Sequence, residues 1–136
     1  MEHLRAFFNR YEAAFNDIDI ESLAQMYTDQ CLMTSPDYCT GNQNDDEFRD
    51  VLASTAQIYC DGGMRAIRIY RYMESPLDDH FHLVQIEWKL FRADGSELTA
   101  FNHTYLVRVI DGIPKIALLI AHNELQRMRE NGLLPG

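Results

Sequence analysis

Positive charge is scarce in this sequence: 12 Lys and Arg stand against 21 Asp and Glu, a formal net charge of −9. Nucleic acids and anionic membrane surfaces both select for Lys/Arg patches, so neither is an expected partner. No apolar run approaches the roughly 18 residues that cross a bilayer. The opening MEHLRAFF has no basic stretch followed by a long apolar one. No signal peptide is therefore expected, and the cytoplasm is the expected location. Cysteine is sparse as well. Cys31, Cys39 and Cys60 make an odd count with no close pair, which argues for reduced thiols rather than a disulfide framework. No CxxC or Cys/His cluster reads as a zinc site, and no metal is expected. GxSxG elbows, P-loops and GxGxxG turns are absent, so no nucleotide cofactor is expected either. Repeats, low-complexity stretches and linkers are also missing.

What is present is ordinary globular material. The 136 residues are 46% apolar and 24% charged, enough for one domain, 1–136, with a real core. Residues 2–16 place Leu4, Phe7, Phe8, Tyr11, Ala14 and Phe15 at spacings of three and four, one face of a helix. Asp19 can cap a second helix from Ile20 to Tyr27. Residues 31–35 read as a short strand, and 36–44 (PDYCTGNQN) as a loop rich in turn formers. Asn44 or Asp45 can cap a third helix across 45–60, which Gly62-Gly63 ends.

Beyond residue 63 the pattern changes period. Residues 64–74, 80–92, 97–110 and 113–122 alternate as strands, with turns at Ala93–Ser96 and Asp111-Gly112. The tail 123–136 can form a short helix. Helices first and an antiparallel meander after them argue an α+β fold. The amphipathic faces predict three N-terminal helices packed in the concave side of a curved sheet, a cone-shaped roll whose mouth can hold a ligand.

Three features carry a family resemblance. They are Arg10-Tyr11-Glu12-Ala13-Ala14-Phe15-Asn16, then Asp19-Ile20 with Leu23 and Met26-Tyr27, then Cys31 through Pro36. Together they resemble the opening of ketosteroid isomerase, and Asp94-Gly95 and Asp111-Gly112 resemble the hairpins of the wider nuclear-transport-factor-two-like and SnoaL-like superfamily. The resemblance implies a cystatin-like α+β roll. It also implies a pocket that in different members serves isomerases, dehydratases, cyclases or noncatalytic modules.

Under that resemblance, Tyr11 stands where the isomerases carry an oxyanion tyrosine, although a ring at helical spacing also reads as core. Ser35 falls where the catalytic aspartate would stand, and a hydroxyl cannot act as a carboxylate base. Asp37, just beyond Pro36, is the candidate substitute, or else caps the turn. No acid lies inside strand 97–110, so His103 is the candidate proton carrier there, or else a satisfied polar residue at the sheet rim. Phe15, Tyr27, Ser35, Tyr38, Trp88 and Tyr105 are the expected pocket walls, with Tyr59 near the mouth, although Trp88 also reads as core packing. His80 and His82 have no third ligand nearby, and His122 reads as a rim residue beside Asn123-Glu124.

YLVRVI (105–110) and IALLIA (116–121) are apolar on both faces. A strand that reads this way is covered on both sides. The expected cover is a second copy of the chain, giving a homodimer through the outer sheet face, with the C-terminal segment of the same chain as the alternative. Two readings of the function stay open. One is a cofactor-independent isomerase, dehydratase or cyclase acting on a small apolar molecule. The other is a noncatalytic ligand-binding or assembly module.

Overall fold

A computed structural model describes residues 3–134. The first residue of the expected opening helix, Glu2, and the last two residues of the expected tail, 135 and 136, lie outside the described residues. The order is α1 (Leu4–Asn16), α2 (Ile20–Gln25), β1 (Tyr27–Ser35), β2 (Tyr38–Gln43), α3 (Asp46–Asp61), β3 (Ala66–Pro76), β4 (Phe81–Phe91), β5 (Glu97–Ile110), β6 (Ile113–Ala121) and α4 (Glu124–Glu130). The strands form one six-stranded sheet in the order β2-β1-β6-β5-β4-β3. Register shifts interrupt the β3–β4, β4–β5 and β5–β6 pairings, the kind of irregularity that bends a sheet.

The helices start where local chemistry says they should. Asp19 accepts from the Ser22 N–H at 3.2 Å, and Asp45 from the Phe48 N–H at 3.1 Å. Each satisfies an amide that would otherwise be unpaired in the first turn. At the β5–β6 hairpin, Asp111 (φ 53°) and Gly112 (φ 75°) both take positive φ, the combination a two-residue primed turn requires. The expected strands 80–92, 97–110 and 113–122 are found within a residue or two of their ends.

Three expectations are corrected. The stretch 36–44 is not a loop. Its turn is confined to Pro36-Asp37, and Tyr38–Gln43 pairs antiparallel with β1 from Ser35↔Tyr38 to Gln30↔Gln43. This strand is almost wholly exposed, so it has no apolar alternation to announce it, and its ladder is supplied by its neighbour. The second helix stops at Gln25. Tyr27, 2% exposed, is drawn into β1 opposite Ile116. The sheet is not wholly antiparallel either, because β1 runs parallel to β6.

The core lies between α1–α3 and the concave face of the sheet. Phe7, Phe8, Tyr105, Trp88, Phe101 and Val107 are essentially inaccessible. Each such side chain contributes about 1.5–3 kcal/mol of burial. Side chains of α1 also fix its angle over the edge strand. Asn16 accepts from the Ile67 N–H at 2.7 Å and donates to the Ile67 carbonyl at 2.9 Å, while Glu12 accepts from the Ile69 N–H at 2.7 Å. With α1 pinned to β3 this way, Tyr11 is aimed into the cone.

Candidate functional site

The cone encloses a cavity of about 230 Å³. Tyr11 and Phe15 of α1, Tyr27 and Met33 of β1, Leu52 and Tyr59 of α3, His103 of β5, Leu119 of β6 and Glu124 of α4 wall it. Tyr38, Thr40 and Asn42 of β2 and Val51 and Thr55 of α3 also line it. The correction to β2 therefore matters, because the stretch expected as loop is a wall of the cavity.

Two polar groups meet in this space. The Tyr11 hydroxyl lies 2.7 Å from that of Tyr27, and it also interacts with Tyr105. Burial pushes the Tyr11 phenol up to about 12, opposed by the hydrogen bonds from Tyr27 and Tyr105. Burial pushes Tyr27, Tyr59 and Tyr105 higher still. All four remain protonated donors near neutral pH, and Tyr11 is the least displaced, as expected of the oxygen on which the bonds converge.

The second group is centred on a residue that sequence reasoning did not select. His103 Nε2 lies 2.5 Å from Glu124 Oε1 and His103 Nδ1 lies 3.1 Å from the Tyr105 hydroxyl. Tyr59 donates to the other oxygen of Glu124, and Trp88 Nε1 donates to the Tyr105 oxygen at 3.0 Å. His103 and Glu124 side chains are only 9% and 13% exposed. Burial raises the Glu124 carboxyl, but the His103 charge and the bonds from His103 and Tyr59 outweigh it and hold the group below its usual value. A carboxylate with two oxygens and about four lone-pair sites still has acceptor capacity left on each oxygen.

The expected site residues divide. Tyr11, Phe15, Tyr27, Tyr38 and His103 line the cavity together. Trp88 and Tyr105 lie behind it. They are 1% exposed, and their hydrogen bonds hold the rear of His103 in place. Ser35 and Asp37 are outside. Asp37 is exposed in the β1–β2 turn, its N–H bonded to Ser35 Oγ at 3.0 Å, and both line a second depression of about 250 Å³ beside α4, which shares Glu124 with the cavity. The turn role claimed Asp37 because Pro36 forces the chain to reverse there. The acid sought inside β5 comes instead from α4, one turn past the end of the sheet. An acidic residue in a first helical turn is commonplace, so only the backward reach to His103 distinguishes Glu124. His80 Nδ1 is spent on the Val109 carbonyl at 3.1 Å. His122, exposed on the outer face, meets Thr104 Oγ1 at 2.7 Å. Among the described residues no group of three or more His, Cys, Asp or Glu is placed to hold a metal ion. None of their helices is long and apolar enough to cross a membrane.

The class defined by this architecture is the cystatin-like α+β roll. A family profile described as "NTF2-like protein (DUF6841)" matches residues 2–124, and the chain belongs to that family. Solved structures share the fold. An NTF-2 like protein of unknown function from Shewanella oneidensis is 21% identical with a TM-score of 0.67, over 88% of this chain and 95% of that one. A cystatin-like protein of unknown function from Nostoc punctiforme is 11% identical with a TM-score of 0.70, over 88% and 86%. The beta subunit of the benzoate 1,2-dioxygenase from Burkholderia mallei is 14% identical with a TM-score of 0.64, over 90% and 92%. At these identities the likeness is one of fold. Among curated proteins none matches the sequence.

Proposed function

We propose that this protein is a cofactor-independent acid–base enzyme that moves a proton on a small apolar carbonyl compound, in an isomerase, dehydratase or cyclase reaction. One observation carries the reading: a hydroxyl cluster centred on Tyr11 and a buried His103–Glu124 pair line the same cavity. Glu124, through a free lone pair, takes a proton from the carbon beside the carbonyl. The electron pair moves to the carbonyl oxygen, where Tyr11 donates a hydrogen bond to the developing charge. The proton then returns from Glu124 to another carbon. His103 orients the carboxylate and stabilises its charged form, and Tyr105 and Trp88 orient His103.

Cyclohex-3-enone in D2O, followed by NMR, tests this, because both solvent exchange and conversion to the conjugated enone are visible. Wild type is expected to accelerate the reaction over buffer. Glu124→Gln is expected to lose about 10²–10⁴-fold, the usual worth of a positioned acid–base group. Tyr11→Phe is expected to lose about 10²–10³-fold, as for one oxyanion donor.

The alternative is a noncatalytic binding or assembly module. It draws support from the beta subunit of a dioxygenase sharing the fold, and from both ring nitrogens of His103 already being engaged. Binding of small carbonyl compounds with no rate above buffer for any of them would select it. Under either reading the outer sheet face is covered by a second copy of the chain. Leu83, Leu106, Leu118 and Leu32 form one cross-strand row there, every member partly exposed. Uncovered apolar rows of this kind are uncommon on monomers.

A further inference from the structure

The cavity's charge and size narrow its ligand further than the reaction class does. No Lys or Arg is among its lining residues. Its acid–base pair is Glu124 and His103, hydrogen-bonded to each other, with Tyr59 on the second carboxylate oxygen. An anionic ligand would meet the Glu124 carboxylate with no cation to receive it. A cationic ligand would find only the acceptor sites that His103 and Tyr59 leave on Glu124, fewer than the three N–H donors of an ammonium require. Both would lose hydration on entering, and a buried charge without its full set of partners is disfavoured.

Size sets the second limit. An apolar cavity of about 150 Å³ takes up benzene. At the packing density of protein interiors, the 230 Å³ here accommodates roughly ten heavy atoms and a little more. A four-ring skeleton does not fit. The walls are Phe15, Met33, Leu52, Leu119 and tyrosine rings, flat or pliable surfaces that suit a ring.

We infer that the cavity takes an uncharged single-ring molecule bearing one hydroxyl or carbonyl oxygen, and rejects both carboxylates and polycyclic compounds. The ring lies between Phe15, Leu52 and Leu119, and its oxygen receives the Tyr11 hydroxyl. This rests on the cavity being the working site of the proposed function, but it does not require turnover.

Three probes of nearly one shape carry the three charge states: benzyl alcohol, benzoate and benzylamine. A steroid ketone completes the set. Binding is read by calorimetry on the whole chain, and by the concentration-dependent rise in Tm that any native-state ligand must cause. Benzyl alcohol is expected to bind saturably. Benzoate and protonated benzylamine are expected to bind at least about tenfold more weakly, the cost of a buried charge without its full set of partners. The steroid is expected not to bind.

Thr55→Trp, a substitution at a half-buried helix position lining the cavity, is expected to abolish benzyl alcohol binding while leaving the far-ultraviolet circular dichroism intact. Leu119→Phe, which fills the cavity from the sheet side, is expected to do the same should Thr55→Trp perturb folding. Equal or tighter binding of benzoate, binding of the steroid, or benzyl alcohol binding unchanged in both variants would overturn the inference. Benzyl alcohol binding that survives in a protein without turnover leaves the ligand class standing and removes only the enzymatic reading. Turnover confined to a carboxylate or a polycyclic ketone does the reverse.

Discussion

The two faces of β5 answer to different demands. Inward, Phe101, His103, Tyr105, Val107 and Val109 are buried, and each polar group among them has a hydrogen-bond partner. Outward, Asn102, Arg108 and Ile110 are exposed and Leu106 is half-buried in a row of leucines. The inner face holds polar atoms where water is excluded. That is costly unless they are satisfied, and it is common at working sites. The outer face leaves apolar atoms where water has access. The proposed chemistry rests on the inner side of this contrast, and the proposed association on the outer side.

The contrast can be broken most forcefully at Phe101, which stacks on Tyr59 with centroids 5.8 Å apart. Phe101→Ala is expected to cost about 3–5 kcal/mol, against about 1 kcal/mol for Leu106→Ala on the opposite face of the same strand. Urea unfolding of both variants measures the difference. Equal costs would mean that the outer face is as closely packed as the inner.

Glu124→Ala comes next. It leaves His103 and Tyr59 without their shared acceptor and is expected to cost about 2–4 kcal/mol. The pH dependence sharpens this. The Glu124 carboxyl titrates below its ordinary value of 4.5 in the folded protein. Its stabilising contribution is therefore complete above that value and is lost as pH falls through the depressed one. Facing it are His103 from β5 and Tyr59 from α3. Stability measured from about pH 7 downward should fall less steeply on the acid side for Glu124→Gln than for wild type. Superimposable acid limbs would remove the carboxylate from the network.

Tyr11→Phe deletes the hydroxyl that Tyr27 and Tyr105 both bond to and is expected to cost about 1–3 kcal/mol, with an effect on catalysis larger than its effect on stability. The smallest stability effect is expected at Leu118→Lys, within about 0.5–1 kcal/mol because the residue is already part-exposed. Its readout is mass in solution. Sedimentation should find wild type at twice the chain mass and the variant at the chain mass. A wild type that sediments as a monomer would leave the leucine row without the partner proposed for it.

Local physics is why so much of the fold could be read along the chain. Period-two alternation from 80 to 110 and helical spacing from 4 to 15 report which atoms avoid water. Asp19, Asp45 and Asp111-Gly112 act on backbone within three residues of themselves. That Tyr11, Phe15, Tyr27, Tyr38 and His103 share one cavity was legible because each sits on the buried or mouth-facing side of an element whose period was visible or whose place in the resemblance was marked. Strand β2 was not legible, because exposed Thr, Gly, Asn and Gln carry no pattern of their own. Asp37 looked like a base because its type fits, but nearness to Pro36 in sequence is not nearness to the cavity. Glu124 was passed over because its partners are 21 and 65 residues away. Those separations are closed only when the last strand delivers α4 against β5 and α3. Burial pattern and turn chemistry are properties of short segments, so they belong to the sequence. The meeting of a carboxylate, an imidazole and a phenol from three distant elements is a property of packing, and tertiary structure alone created it.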